Sequence, residues 1–193
     1  MIGKSIRLRR ILHHESGRCV IVPYSHAVLS GPQKGLENTH VFRSTIDALN
    51  RADGIVVPMG SLRFANDLLG GRNQPAIILH ADWHANARRV LPVARPLGAV
   101  GIVSPEEALS AGADGLMAYL YLGLEDSREE HAEIARIAAL AEKCDRWGLP
   151  LVVESRSAAE HTGGPEAFDP KVIGLHARIA AELGADIVKC VYS

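Results

Sequence analysis

The chain has 193 residues, 47% hydrophobic and 22% charged, with a net charge of -1. That is enough apolar material for one packed domain, so disorder is excluded, and no strong electrostatic pull toward nucleic acid or an anionic membrane is expected. No stretch approaches the roughly 18 apolar residues of a membrane span, and no apolar run follows the first basic residues as a signal peptide requires.

Near the amino end Lys4, Arg7, Arg9 and Arg10 form a short cationic cluster, expected to be a solvated helix face or an arm on a neighbouring surface. Cys19-Val20-Ile21-Val22-Pro23 reads as a first buried strand, followed by Ser25 and His26. Arg51-Ala52-Asp53-Gly54-Ile55-Val56-Val57 is the first of three similar junctions; the others begin at Gly112-Ala113-Asp114-Gly115 and Gly184-Ala185-Asp186-Ile187. In the latter two a glycine suited to a left-handed helix end precedes an apolar run long enough for a strand and too short for another helix.

Ala76-Ile77-Ile78-Leu79-His80 is another buried strand. His80 and His84 have the spacing of a metal-binding helix, but the segment leaves a strand and offers no third ligand, so no metal is expected. Arg88 and Arg89 suit a phosphate, solvent or another subunit. Ser104-Pro105-Glu106-Glu107 opens a short helix. The strand near residue 116 carries Tyr119 and Tyr121 at alternate positions, so both face one side. Ser127 to Trp147 is the clearest helix, with Ile134, Ile137, Ala138, Ala141 and Cys144 at helical spacing and Ser127 as cap with Glu130 three residues on.

Leu149 to Glu154 is a fifth strand. The stretch Ser157 to Phe168 reads as a flexible loop over the barrel mouth. Asp169 and Pro170 open a helix to Leu183, with Val172, Leu175, Ile179 and Leu183 on its expected inner stripe. The last strand holds Lys189. Three cysteines, Cys19, Cys144 and Cys190, are an odd number without metal-like spacing; reduced thiols and a cytoplasmic location are expected, with Cys19 and Cys190 packed as small hydrophobes.

Six strands alternating with helices, near residues 19, 55, 77, 116, 151 and 187, predict an α/β protein with a parallel sheet. A complete eightfold barrel usually takes about 250 residues, so the expectation is a TIM (β/α)8-type barrel, one domain over 1–193, truncated after strand six. A doubly wound sheet is the other candidate; against it, no Gly-x-Gly-x-x-Gly or Walker-type run occurs.

Lys189 is the residue richest in chemistry. An ammonium buried in the run Ile187-Val188-Lys189-Cys190-Val191 would lose hydration, which favours a neutral, nucleophilic amine able to condense with a carbonyl. The plain alternative is a strand-end lysine with its stem packed and its head in water.

The segment Gly17 to Leu36, with Gly31-Pro32-Gln33-Lys34-Gly35-Leu36, resembles the first strand and loop of the archaeal-type class I fructose-bisphosphate aldolase family, which includes 2-amino-3,7-dideoxy-heptulosonate synthases and the autoinducer-2 phosphate thiolase. The similarity continues through Ile77 to His80, Gly112-Ala113-Asp114, Trp147 to Leu151 and Ala180 to Lys189. The resemblance implies a barrel that forms a Schiff base through Lys189 with a small, often phosphorylated, ketone or sugar, without a cofactor, in a homo-oligomeric ring such as a decamer.

Two departures stand out. Ser25-His26-Ala27 occupies the place of the family's Asp-His-Gly, and Glu154-Ser155-Arg156-Ser157 that of a strand bearing a tyrosine general acid in the aldolase branch. The candidate catalytic residues are Lys189, Tyr121 and Glu154, and the candidate substrate contacts Ser25, His26, His80, Tyr119 and Arg156. Each has a plain alternative: the tyrosines fill barrel volume, Glu154 pairs with Arg156, and the histidines are structural. The first functional expectation is a Schiff-base carbon–carbon lyase or synthase. The second is a catalytically impaired relative kept as a binding or assembly subunit.

Overall fold

Six strands pair in parallel in chain order, as six consecutive βα units of a barrel require: β1 (Ile21–Pro23), β2 (Gly54–Pro58), β3 (Ala76–His80), then β6 (Gly115–Leu122), β7 (Leu151–Ser157) and β8 (Ile187–Lys189). Between β3 and β6 lies a two-stranded antiparallel arm that the sequence did not reveal, β4 (Asp82–Trp83) and β5 (Val100–Gly101). This computed structural model describes residues 2–13, 15–71 and 73–192. The helices in chain order are α1 (Ile2–Ile11), α2 (His26–Ser30), α3 (Thr39–Ala48), α4 (Met59–Leu62), α5 (Pro105–Ser110), α6 (Ser127–Trp147), α7 (Ala159–Thr162) and α8 (Pro170–Glu182). Among the described residues no helix is long and apolar enough to cross a membrane.

The three repeated junctions share one device. Asp53, Asp114 and Asp186 each accept a hydrogen bond through Oδ2 from the backbone of the neighbouring strand: from Val20 N at 2.6 Å, Ile77 N at 3.0 Å and Leu151 N at 2.9 Å. Each also returns its own N–H to the carbonyl of that same residue, at 3.0, 2.7 and 2.9 Å. A carboxylate and an amide on one residue thus satisfy both backbone groups of another, which fixes the register where each strand begins. The glycine before two of these junctions has the left-handed backbone the sequence predicts, with φ of 83° at Gly112 and 101° at Gly184.

The side chains of the sheet divide by alternation into two layers. Ile55, Val57, Leu79, Leu116, Leu120 and Val153 pack outward against the helices. Val56, Ile78, Met117, Tyr119, Tyr121 and Val152 face the concave side with Ile11 and Leu29. Helix α1 lies across the amino ends of the strands. Its cluster is only in part a solvated face: Arg9 and Arg10 are exposed, but Lys4 pairs with Asp145 and, at 2.8 Å, with Asp186, Arg7 donates to the Gly148 carbonyl at 3.0 Å, and Arg10 reaches Asp114 at 2.5 Å. Ile11, with no exposed surface, plugs the space behind them.

Several local expectations are corrected. Helix α6 is capped by Asp126, whose side chain accepts from Arg128 N, and Glu130 instead accepts from Gly123 N at 2.5 Å. Helix α8 starts at Pro170 with Asp169 as cap, as predicted; Ile179 and Leu183 of the expected stripe pack against the core, but the buried residues are Ile173, His176 and Ala180, and Leu175 is 60% exposed. The expected loop over residues 157–168 is ordered as the end of β7, α7 and a 3-10 turn at Pro165–Phe168. Cys144 is buried, whereas Cys190, just past β8, is exposed rather than packed; all three cysteines are free thiols.

Candidate active site

Parallel pairing sets Tyr119 of β6 opposite Glu154 of β7, and Glu154 opposite Lys189 of β8. These three residues form one row on the concave face, at the carboxyl half of the strands. Tyr121 and Arg156 are paired one step further along. Barrel active sites lie at this end.

Lys189 Nζ stands 2.5 Å from Glu154 Oε2, and Arg156 Nη1 is 3.1 Å from Glu154 Oε1. Arg156 also pairs with Glu160 of α7. The buried Glu154 therefore holds two cations, one on each oxygen, and the expected pairing with Arg156 is present. The surroundings of Lys189 differ from expectation. Its side chain is 43% exposed. Strand β8 has three residues and pairs only with β7 among the described strands, and the concave apolar cluster extends no further than Ile187. The dehydrated setting expected from the apolar run is absent, and the carboxylate is what addresses the amine.

Beside this row, Tyr119 and Tyr121 stack with ring centroids 5.9 Å apart, and His84 sets its ring edgewise against both, at 4.5 and 5.1 Å. Burial pushes both phenols above their usual range, with the charge of Glu154 adding to the effect at Tyr119. Burial drives the His84 imidazole down to about 4, against the opposing pull of Asp82. His26, at the mouth, is lowered by burial and by the nearby charge of Lys189, which places it in the same electrostatic neighbourhood.

Ser25 and His80 meet: Ser25 Oγ lies 2.8 Å from His80 Nδ1, and His80 Nε2 is 3.2 Å from Asp82 Oδ1. His80 has no exposed surface and Ser25 has 3%. Of the residues expected to touch substrate, His26 is exposed, Arg156 half-buried, and Ser25, His80 and Tyr119 buried. Among the described residues no group of three His, Cys, Asp or Glu side chains could hold a metal ion. Arg88 stacks over Trp83, at 5.6 Å from the ring centre, and Arg89 is exposed.

The sequence did not reveal the ionic cluster behind the tyrosines. Pairing of β3 with β6 stops at Met117, so the edge of β6 beyond it needs other partners. Asp82 accepts from Tyr119 N at 2.8 Å, Glu133 from Tyr121 N at 3.2 Å, and Arg136 donates to the Tyr119 carbonyl at 2.6 Å. Arg136 also bridges the two carboxylates, 2.9 Å from each. Three charged side chains of α6 and β4 thus stand in for a missing strand. One signal was available: Glu133 continues the stripe Ile137, Ala141 and Cys144 of α6, so a carboxylate lies in an apolar register.

Cavities of about 470 Å3 lie away from this row, one between the β4–β5 arm and α6, lined by Val103, Ser104, Arg136 and Lys143, and one against α1. Convergent chemistry at the strand ends, rather than cavity volume, marks the candidate site.

Comparison with known proteins agrees with this architecture. The model of the DeoC/LacD family aldolases matches residues 19–193. The chain is 36% identical over 196 residues to a 2-amino-4,5-dihydroxy-6-oxo-7-(phosphonooxy)heptanoate synthase of Streptomyces griseus, covering 98% of this chain and 65% of that protein. It is 30% identical over 198 residues to 2-amino-3,7-dideoxy-D-threo-hept-6-ulosonate synthase 1 of Archaeoglobus fulgidus, covering 100% of this chain and 66% of that one. The chain therefore spans about two thirds of the length of these relatives. Among solved structures, an archaeal fructose 1,6-bisphosphate aldolase superposes with a TM-score of 0.75 at 27% identity, over 98% of this chain and 70% of that one. A Schiff-base-forming fructose-1,6-bisphosphate aldolase, studied through its reaction intermediates, gives 0.71 at 26%, over 96% and 69%. The curled sheet is thus six units of a TIM-barrel-like fold, and the chain belongs to the DeoC/LacD family of aldolases.

Proposed function

We propose that this protein is a Schiff-base aldolase or synthase acting on a small phosphorylated ketone or sugar, with Lys189 as the nucleophile. The observation that carries this reading is the row Tyr119–Glu154–Lys189, in which a buried carboxylate lies 2.5 Å from a strand-borne amine at the carboxyl end of the sheet. Glu154 takes a proton from Nζ, the freed amine attacks the carbonyl carbon, the attacking nitrogen passes a second proton to the carbinolamine oxygen, and the proton held by Glu154 follows as that oxygen leaves as water. The resulting iminium draws in the electron pair of the carbon–carbon bond being cleaved.

Tyr121 serves as a proton donor, its neutral phenol favoured by burial. Ser25, His26, Tyr119 and Arg156 face the substrate, with His80 behind Ser25. The names of two relatives support a phosphorylated substrate: the Streptomyces griseus synthase, and a 3-hydroxy-5-phosphonooxypentane-2,4-dione thiolase from Yersinia enterocolitica at 28% identity. We further propose one barrel-type domain in a cytoplasmic homo-oligomer. Support for the location comes from the three free thiols.

Ser25, standing where the resemblance places an aspartate, favours a second reading, a binding or assembly subunit without turnover. Borohydride reduction with dihydroxyacetone phosphate and related ketones separates the two. A stable adduct on Lys189, lost in Lys189→Met, supports the enzyme; no adduct across the panel supports the subunit.

A further inference from the structure

We infer that Ser25, His80 and Asp82 form a proton relay in which Ser25 exchanges a proton with a substrate hydroxyl, His80 receives the serine proton, and Asp82 holds the imidazole. The inference rests on the Schiff-base reading and assigns the acid–base work at the far side of the same site.

Ser25 occupies the N-cap position of α2, where a serine ordinarily accepts from a helix N–H. Here its side chain makes no cap bond and turns to His80 Nδ1 at 2.8 Å. The tautomer follows from the partners. Asp82 Oδ2 is occupied by Arg136 at 2.9 Å and Tyr119 N at 2.8 Å, leaving Oδ1 to accept from His80 Nε2 at 3.2 Å. Nε2 therefore carries the hydrogen, and Nδ1 presents its lone pair to the serine hydroxyl. Among the described residues no other side chain bonds to Ser25 Oγ, which leaves it an acceptor lone pair for a substrate hydroxyl to use. Burial orders the three: His80 and Asp82 have no exposed surface, while Ser25 retains 3% and is the outermost. The His80 ring lies 5.5 Å from that of Tyr119, in the row that contains Lys189.

In cleavage of a hydroxylated iminium, the substrate hydroxyl gives its proton to Ser25 Oγ as Ser25 gives its own to His80 Nδ1. The oxygen's electron pair forms the aldehyde, the carbon–carbon bond breaks, and its electrons neutralise the iminium as an enamine. Ser25 is the catalytic residue, and His80 and Asp82 are positioning residues acting through it.

The test is reductive trapping during turnover of fructose 1,6-bisphosphate, with mass analysis of the peptide carrying Lys189. The wild-type protein should yield the three-carbon adduct left after cleavage. Ser25→Ala, which removes one oxygen, and His80→Gln should still form an adduct but shift it to the uncleaved six-carbon form, with cleavage reduced about 100-fold or more. Ser25→Asp in the His80→Gln background supplies a carboxylate base directly and should restore the three-carbon adduct; a merely structural His80 would not be rescued in this way. An unchanged adduct ratio in Ser25→Ala, or a wild-type protein that traps only the six-carbon form, overturns the relay alone. If the wild-type protein traps nothing with this sugar or with the ketone panel, the Schiff-base reading fails and the relay with it; trapping of the ketones alone overturns only the relay.

Discussion

His84 offers a quantitative test of the aromatic wall beside the candidate site. It is 2% exposed between Tyr119 and Tyr121, and burial lowers its pKa from an ordinary 6.5 to about 4. Between these values the unfolded chain binds a proton that the folded chain refuses, so stability falls as pH drops through 6.5 toward 4 and is recovered above that window. The loss is about 1.4 kcal/mol per pH unit inside the window, roughly 2 kcal/mol at pH 5 and about 3 kcal/mol once pH 4 is passed. Urea denaturation at pH 7 and pH 5 measures it. His26 and His176 are lowered by burial too and contribute with the same sign, so His84 is isolated by comparison with His84→Phe, which keeps an aromatic ring against the tyrosines and cannot titrate. The wild-type protein should lose about 2 kcal/mol more than the variant between the two pH values. Equal losses would refute the placement of a neutral imidazole in this wall.

Two further substitutions test the scaffold. Asp114→Ala removes the partner of Ile77 N and of Arg10 and should cost about 2–3 kcal/mol, read as a lower melting temperature. Arg10→Ala removes only the more exposed half of that ion pair and should cost less than about 1 kcal/mol. Arg136→Met strands the carboxylates of Asp82 and Glu133 and should cost about 3–5 kcal/mol by urea denaturation. A loss below about 1 kcal/mol would mean that the cluster does not hold β6 as described.

Where local signals agree, the fold is legible in the chain. Aspartate at a helix-to-strand junction recurs three times with an apolar run behind it, and all three junctions start strands at the places expected. Their reciprocal backbone bonds were not legible, because the partners, Val20, Ile77 and Leu151, are distant in sequence. The first half of the α8 face was misjudged for a related reason, while Ile179 and Leu183 pack inward as expected. Val172 and Leu175 fit a helical stripe, but the helix turns Ile173 and His176 inward, where His176 Nδ1 lies 2.8 Å from Ser155 Oγ of β7. A polar tertiary contact has no signature in hydrophobic spacing.

The candidate site shows the same division. Alternation put Tyr119 and Tyr121 on one face, and the strand ends collected Ser25, His80, Glu154 and Lys189. The exposure of Lys189 depends on which strands flank β8, and an apolar run cannot report that.

The most direct measurement is borohydride trapping of the wild-type protein with dihydroxyacetone phosphate, followed by peptide mass analysis. A reduced three-carbon adduct on Lys189, abolished in Lys189→Met and weakened when Glu154→Ala removes the carboxylate beside Nζ, is the predicted result. An unmodified Lys189, or an adduct that forms equally well on other exposed lysines, would contradict the central claim.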